Sequence, residues 1–278
     1  GGEYVFVAEA GVLARIVAGG QDAFADPEIF PISSQAVRAV DLLMDPEADL
    51  SGSQAAEVDL VYVAGGRFGL WAMQVHPSLT APLAVRLDDA SSSTSQEQTS
   101  DRSCKDLALI EIDETLYLLA LFSKSGSNRV RAYELETLRQ TVATAALVGA
   151  ETGFEVSANI EIALDAHVFF QPAHPRSFGM GMAVDGHYAY VALGQHGLVR
   201  IDFTLSPGTS LPSANVAFGP YFGSGSAYVH DCDGLFGDRV YDDEAAQAPW
   251  FCDLAFHVAL EEHDQQMVEK RFLWAAVD

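Results

Sequence analysis

One nine-residue pattern occurs twice in this chain without a gap. Tyr62-Val63-Ala64-Gly65-Gly66-Arg67-Phe68-Gly69-Leu70 and Tyr190-Val191-Ala192-Leu193-Gly194-Gln195-His196-Gly197-Leu198 both read Y-V-A-x-G-x-x-G-L. Each copy continues into a second apolar run, Trp71 to Val75 in one and Val199 to Phe203 in the other. The pattern predicts a hairpin. A strand ends at Ala, two glycines supply the positive φ angles of a tight turn, and a second strand returns. A repeated supersecondary unit restricts the fold more than composition does, because such a unit must bury its faces against other copies of itself.

Weaker copies lie elsewhere. Tyr4 to Leu13 opens the chain with a shorter turn, and Leu116 to Leu121 pairs with Arg129 to Tyr133 across Ser125 to Asn128. Arg271 to Ala276 reads as the first strand of another copy. A further strand precedes the hairpin in two places. Phe178 to Val184 leads through Asp185-Gly186 into His187 to Tyr190, and Leu107 to Ile112 leads through Asp113-Glu114. Asp-Gly is a hairpin turn signal. Val142 to Val148 and Ala214 to Phe218 supply a fourth apolar stretch. Four antiparallel strands per unit describe the blade of a β-propeller, and the expected fold is therefore all-β, residues 1–278 forming a single propeller domain of four to five units. Neighbouring copies stand roughly 55–80 residues apart, against ~40–50 in compact blades. The excess falls in loops, of which the Ser-, Thr- and Gln-rich stretch 90–103 is an inter-blade example. A β-sandwich or a β-solenoid is the alternative. Ser34 to Met44 and Glu134 to Ala146 have apolar spacing that suits either a helix or strands with loops.

The run Met182-Ala183-Val184-Asp185-Gly186-His187-Tyr188-Ala189-Tyr190-Val191-Ala192, continued by Gly197-Leu198-Val199-Arg200-Ile201-Asp202, resembles an LVIVD-type repeat. The resemblance is good over this unit and fair around Tyr62. It implies a bacterial or archaeal exported β-propeller. It implies no activity, because structural residues define that family.

Charge narrows the partners. The chain carries 39 acidic and 15 basic residues, a net charge of −24. Nucleic acid needs a basic footprint, and anionic membranes attract basic segments, so neither is an expected partner. No apolar run approaches the ~18 residues of a membrane span. The chain begins Gly1-Gly2-Glu3 without Met; a mature exported protein with its signal removed fits that start, and a cut or engineered end fits it too, with an extracytoplasmic location as the expectation. Since a ring must close, either the two chain ends meet in one sheet or further blades complete it.

Residues that carry chemistry are sparse. His230-Asp231-Cys232-Asp233-Gly234, with Asp238 and Asp242-Asp243-Glu244, alternates carboxylates with glycine as a Ca²⁺ loop does. The spacing of an EF-hand loop is incomplete there, and a plain acidic surface loop is the alternative. Asp231, Asp233, Asp238 and Asp242 are the candidate calcium ligands. Cys232 and Cys252 flank this loop and could close it as a disulfide in an exported protein; two thiols are the alternative. His174 and Arg176, just before an expected innermost strand, are the candidates for a channel-mouth site, against a reading as solvated loop residues. His167, His187 and His196 fall near one unit but lack HxH or HxxxH spacing for a transition metal. There is no GxSxG, P-loop, GxGxxG-helix or HExxH pattern. The expectation is a protein-binding or assembly scaffold, on its own or as one subunit or fragment of a larger complex, rather than an enzyme. A hydrolase or metal-dependent oxidoreductase working at the channel mouth is the rival.

Overall fold

The computed structural model describes residues 3–9, 12–18, 28–31, 41–45, 59–66, 69–75, 83–87, 103–124, 127–148, 156–164, 181–193, 198–204, 215–218, 227–228, 240–241, 251–263 and 266–277. These form antiparallel sheets with one helix. The chain divides into two compact units, Gly1–Leu107 with Tyr133–Ala158, and Ala108–Ala132 with Asn159–Asp278.

In the first unit, β1 (Glu3–Glu9), β2 (Val12–Ala18) and β3 (Glu28–Pro31) make a three-stranded sheet. β4 (Asp41–Met44), β5 (Asp59–Ala64), β6 (Leu70–Val75) and β7 (Leu83–Arg86) make a four-stranded one in sequential order. The expected hairpin is β5–β6, with Tyr62 opposite Ala72. Its turn glycines do what the pattern requires: Gly66 and Gly69 have φ of 54° and 86°, and Gly69 donates to the Gly66 carbonyl. Both faces of β5 are apolar, and every residue from Leu60 to Ala64 is fully buried. A strand buried on both faces reads as a continuous apolar run rather than an alternating one.

β8 (Cys104–Ile112), β9 (Thr115–Lys124) and β10 (Ser127–Glu134) follow, then α1 (Leu135–Val148) and β11 (Ile160–Ala163). The sheet order is β8-β9-β10-β11. The turn between β8 and β9 is Asp113-Glu114, as expected, but both residues hold positive φ, 49° and 62°, without a glycine. The expectation that Val142 to Val148 supplies a fourth strand is corrected: these residues are in α1, and Ile160–Ala163 takes the edge of the sheet. The reason lies in the spacing. Leu135, Leu138 and Val142 are buried at helical intervals, while Glu136, Thr137, Gln140 and Thr144 face water.

In the second unit, β12 (Gly181–Asp185), β13 (Tyr188–Ala192), β14 (Leu198–Asp202) and β15 (Asn215–Phe218) form another sequential four-stranded sheet. β16 (Ala227–Tyr228) pairs with β17 (Val240–Tyr241), and β18 (Phe251–His263) with β19 (Gln266–Val277). Arg271 to Ala276, expected to open a further copy, lies in β19 and pairs back on β18.

The core of this unit is built by stacking sheets. Ile110, Ile112, Leu119, Leu121 and Val130 from one sheet meet Met182, Ala189, Val191, Val199 and Ile201 from the next. On the opposite face of β12–β15, Ala183, Ala192 and Leu198 pack with Leu254 of β18 and Leu273 of β19. Alternate residues of β13 thus serve two cores, Ala189 and Val191 one, Tyr190 and Ala192 the other.

Two substitutions check this account by urea denaturation. Leu119→Ala, which empties space between the stacked sheets, is expected to cost about 2–5 kcal/mol. Glu114→Gly removes a left-handed side-chain conformation from an exposed turn and is expected to gain roughly 1 kcal/mol.

Candidate functional site

Two polar groupings among the described residues combine several kinds of side chain, one in each unit. In the first unit, Asp45 directly follows β4 and extends its pairing, donating its backbone N–H to the Leu60 carbonyl. Its carboxylate is fully buried. Arg139 of α1 grips it side-on: Nε donates to Oδ2 at 2.9 Å and Nη2 to Oδ1 at 2.6 Å. The Tyr62 hydroxyl donates to Oδ2 at 3.1 Å. A guanidinium fork matches a carboxylate in plane, so this pair fixes orientation as well as charge. The hydrogen bond to Asp45 holds the Arg139 guanidinium charged well above its ordinary range. Burial, reinforced by the neighbouring carboxylate, pushes the Tyr62 phenol far up from its ordinary value of 10.0. All three side chains point at one another. The arrangement is a clamp joining α1 to the β4–β5 sheet.

The second place is the end of the sheets where the β8–β9 and β12–β13 turns lie. An open cleft of about 510 Å³ is lined there by Glu111, Ile112, Asp113, Gly186, His187, Phe203 and Thr204. Both turns hold left-handed backbone. Gly186 has φ of 56°, and a Cβ built there would meet nothing within 4 Å. The glycine therefore serves the backbone angle and not a close approach.

His187 links the cleft to a row of stacked groups. Its ring lies 4.0 Å from that of Tyr188 at a 45° tilt, and the Arg200 guanidinium sits 4.9 Å over the other ring's centroid. His187 Nε2 stands 3.9 Å from Asp202 Oδ1, which also accepts the Thr204 N–H at 3.0 Å. Strand pairing sets this geometry. Tyr188 is opposite Asp202 and Tyr190 opposite Arg200, so the four side chains share one face of the sheet. Tyr188 is half-buried and Arg200 exposed.

The repeat shows how unusual this corner is. In the aligned copy, Tyr188 corresponds to Leu60 and Arg200 to Ala72, and both of those are fully buried. The motif tyrosines also diverge. Tyr62 bonds to Asp45, whereas Tyr190 stands edge-on to Phe256 of β18 with ring centroids 5.3 Å apart.

The residues expected from sequence to carry a site fall outside what the structure describes. His174, Arg176, Asp231, Cys232, Asp233, Asp238 and Asp242 lie outside the described residues, as do His167 and His196. Cys252 is in β18, with its side chain outside the described set. Cys104 is a buried thiol. Among the described residues, no group of three or more His, Cys, Asp or Glu side chains could hold a metal ion, and no helix is long and apolar enough to cross a membrane. Sequence reasoning passed over Tyr188 and Arg200. The available signal was their departure from Leu60 and Ala72 in the aligned copy.

No protein-family model matches this chain, and no curated protein matches it significantly.

Two measurements test the clamp. Arg139→Met strands a buried carboxylate and is expected to cost about 3–5 kcal/mol, whereas adding Asp45→Leu recovers much of that loss. Tyr62 ionises more readily unfolded than folded, so its contribution is complete below pH 10 and is lost as pH rises above that value. Stability of the parent is expected to fall relative to Tyr62→Phe by about 1.4 kcal/mol per pH unit beyond that point.

Proposed function

We propose that this chain is a β-propeller, similar to LVIVD-repeat proteins, that acts outside the cytoplasm as a binding or assembly scaffold. The observation that carries the reading is the sheet β12–β15, covered on one face by a second four-stranded sheet and on the other by the β18–β19 hairpin. Successive four-stranded antiparallel sheets stacked by their faces are the material of propeller blades. The sequential strand order in three separate sheets supports it too. So does the repeat, which places corresponding hairpins in two of them.

The scaffold part of the reading rests on the turn-end corner. Tyrosine and arginine side chains set on a sheet are what protein interfaces use as anchors. A strongly acidic exterior keeps such a chain soluble while one small patch makes contact.

Two experiments decide the matter. Class averages from electron microscopy should show a ring of radial sheets around a channel; a two-layer sandwich rejects the propeller. Native mass spectrometry of the tagged chain, recovered from its source cells, should show a defined complex in the exported fraction. A lone monomer in the cytosolic fraction rejects the scaffold and its location.

A further inference from the structure

Helix α1 interrupts a sheet. It lies in sequence between β10 and β11, which are neighbours in that sheet. Yet it groups with the first compact unit, while Ala108–Ala132 and the chain from Asn159 group with the second. The sheet closes without it. β10 and β11 pair from Arg129 opposite Ala163 to Ala132 opposite Ile160. The Asn159 N–H donates to the Ala132 carbonyl where the chain leaves for α1 and returns, and the Leu164 N–H donates to the Asn128 carbonyl at the far end. Glu161 accepts from both Arg129 and Arg131 across the same pair. The Asn128 side chain accepts from the buried Ser123 hydroxyl.

The helix is poorly equipped to persist alone. Of its 14 residues, Thr137, Thr141, Val142, Thr144 and Val148 are β-branched, and such side chains lose χ1 freedom in a helix. The Thr141 and Thr144 hydroxyls donate back to the Thr137 and Gln140 carbonyls, a contact that slightly weakens helices. A free helix of this length is marginal in water, so docking is what holds α1. Up to Thr144 its buried side chains are Leu135, Leu138 and Val142, while Glu136, Thr137, Gln140 and Thr144 are exposed. In β9, by contrast, every residue from Tyr117 to Ser123 is buried. Elements with fewer buried apolar contacts open first. The Arg139–Asp45 pair adds orientation more than net holding, because both ions regain water when it separates.

We propose that α1 is a detachable cover. It lifts from the β4–β7 sheet and uncovers Asp45 and Tyr62, while β10 and β11 stay paired. Arg139 is the latch that sets where the helix lands when it returns. This device does not depend on the scaffold reading.

The test is native-state hydrogen exchange of the full chain, read amide by amide by NMR in dilute urea. The α1 amides from Arg139 to Thr144 are expected to exchange about 100-fold faster than those from Leu118 to Phe122. Their rates should hardly change with urea, since lifting exposes little surface, whereas the β9 rates climb steeply. The Leu164 amide should keep the slow β9 behaviour. Leu119→Ala should speed the β9 amides about 30-fold or more and leave α1 unchanged. Arg139→Met should speed the α1 amides about 100-fold or more. A single rate and urea slope shared by α1 and β9 in the parent protein overturns the proposal, whether or not the variants fold. So does a Leu164 amide that exchanges with α1, or an α1 that accelerates together with β9 in Leu119→Ala. Unchanged α1 exchange in Arg139→Met overturns the latch.

Discussion

Apolar side chains on both faces of a sheet set the terms for this molecule. A strand such as β13 has Ala189 and Val191 packed on one side and Tyr190 and Ala192 on the other, so most of each face is closed to water. A sheet of this kind needs cover on both faces, and β12–β15 has it from the β8–β11 sheet and the β18–β19 hairpin. β5 repeats the condition in the first unit, with Leu60 through Ala64 all buried. Stacking is a consequence of that pattern rather than an addition to it. Strand order follows simply: short antiparallel hairpins return the chain beside itself, so each sheet is assembled before the chain moves on.

Buried polar groups mark where this scheme is interrupted. Asp45 breaks the apolar run after β4, and it is tolerated because Arg139 and Tyr62 satisfy its oxygens. The same repeat position that supplies Tyr62 supplies Tyr190, which meets Phe256 instead. One motif residue therefore takes a hydroxyl contact in one sheet and a ring contact in another. The repeat preserves the size and place of the side chain, and local neighbours decide its chemistry. Exposure varies in the same way: what Leu60 and Ala72 bury, Tyr188 and Arg200 leave open.

The legible part of the structure was the part written in short-range pattern. The β5–β6 hairpin, the Asp185-Gly186 turn and the strand Leu107 to Ile112 are all local, and their glycines and alternations announce them. Helix α1 was ambiguous because Val142 to Val148 is apolar enough to suit either period; Leu135, Leu138 and Val142 settle it through burial on one side. The Asp45–Arg139 pair was invisible, since 94 residues separate its members and neither sits in a motif. The candidate corner lay between these extremes. Tyr188 and Arg200 stand inside the clearest repeat in the sequence, where they read as strand residues until compared with their aligned counterparts.

The distance between Asp45 and Arg139 also orders events in time. At ~5–20 residues per second of synthesis, a gap of 94 residues keeps the arginine from the carboxylate for ~5–20 s. Throughout that interval the emerging β4–β5 hairpin carries an acid that it cannot bury without a counter-charge. The β4–β7 sheet keeps that corner hydrated until α1 leaves the ribosome. Arg139 thus ties the charge-paired burial of Asp45 to the synthesis of a later segment of the same unit.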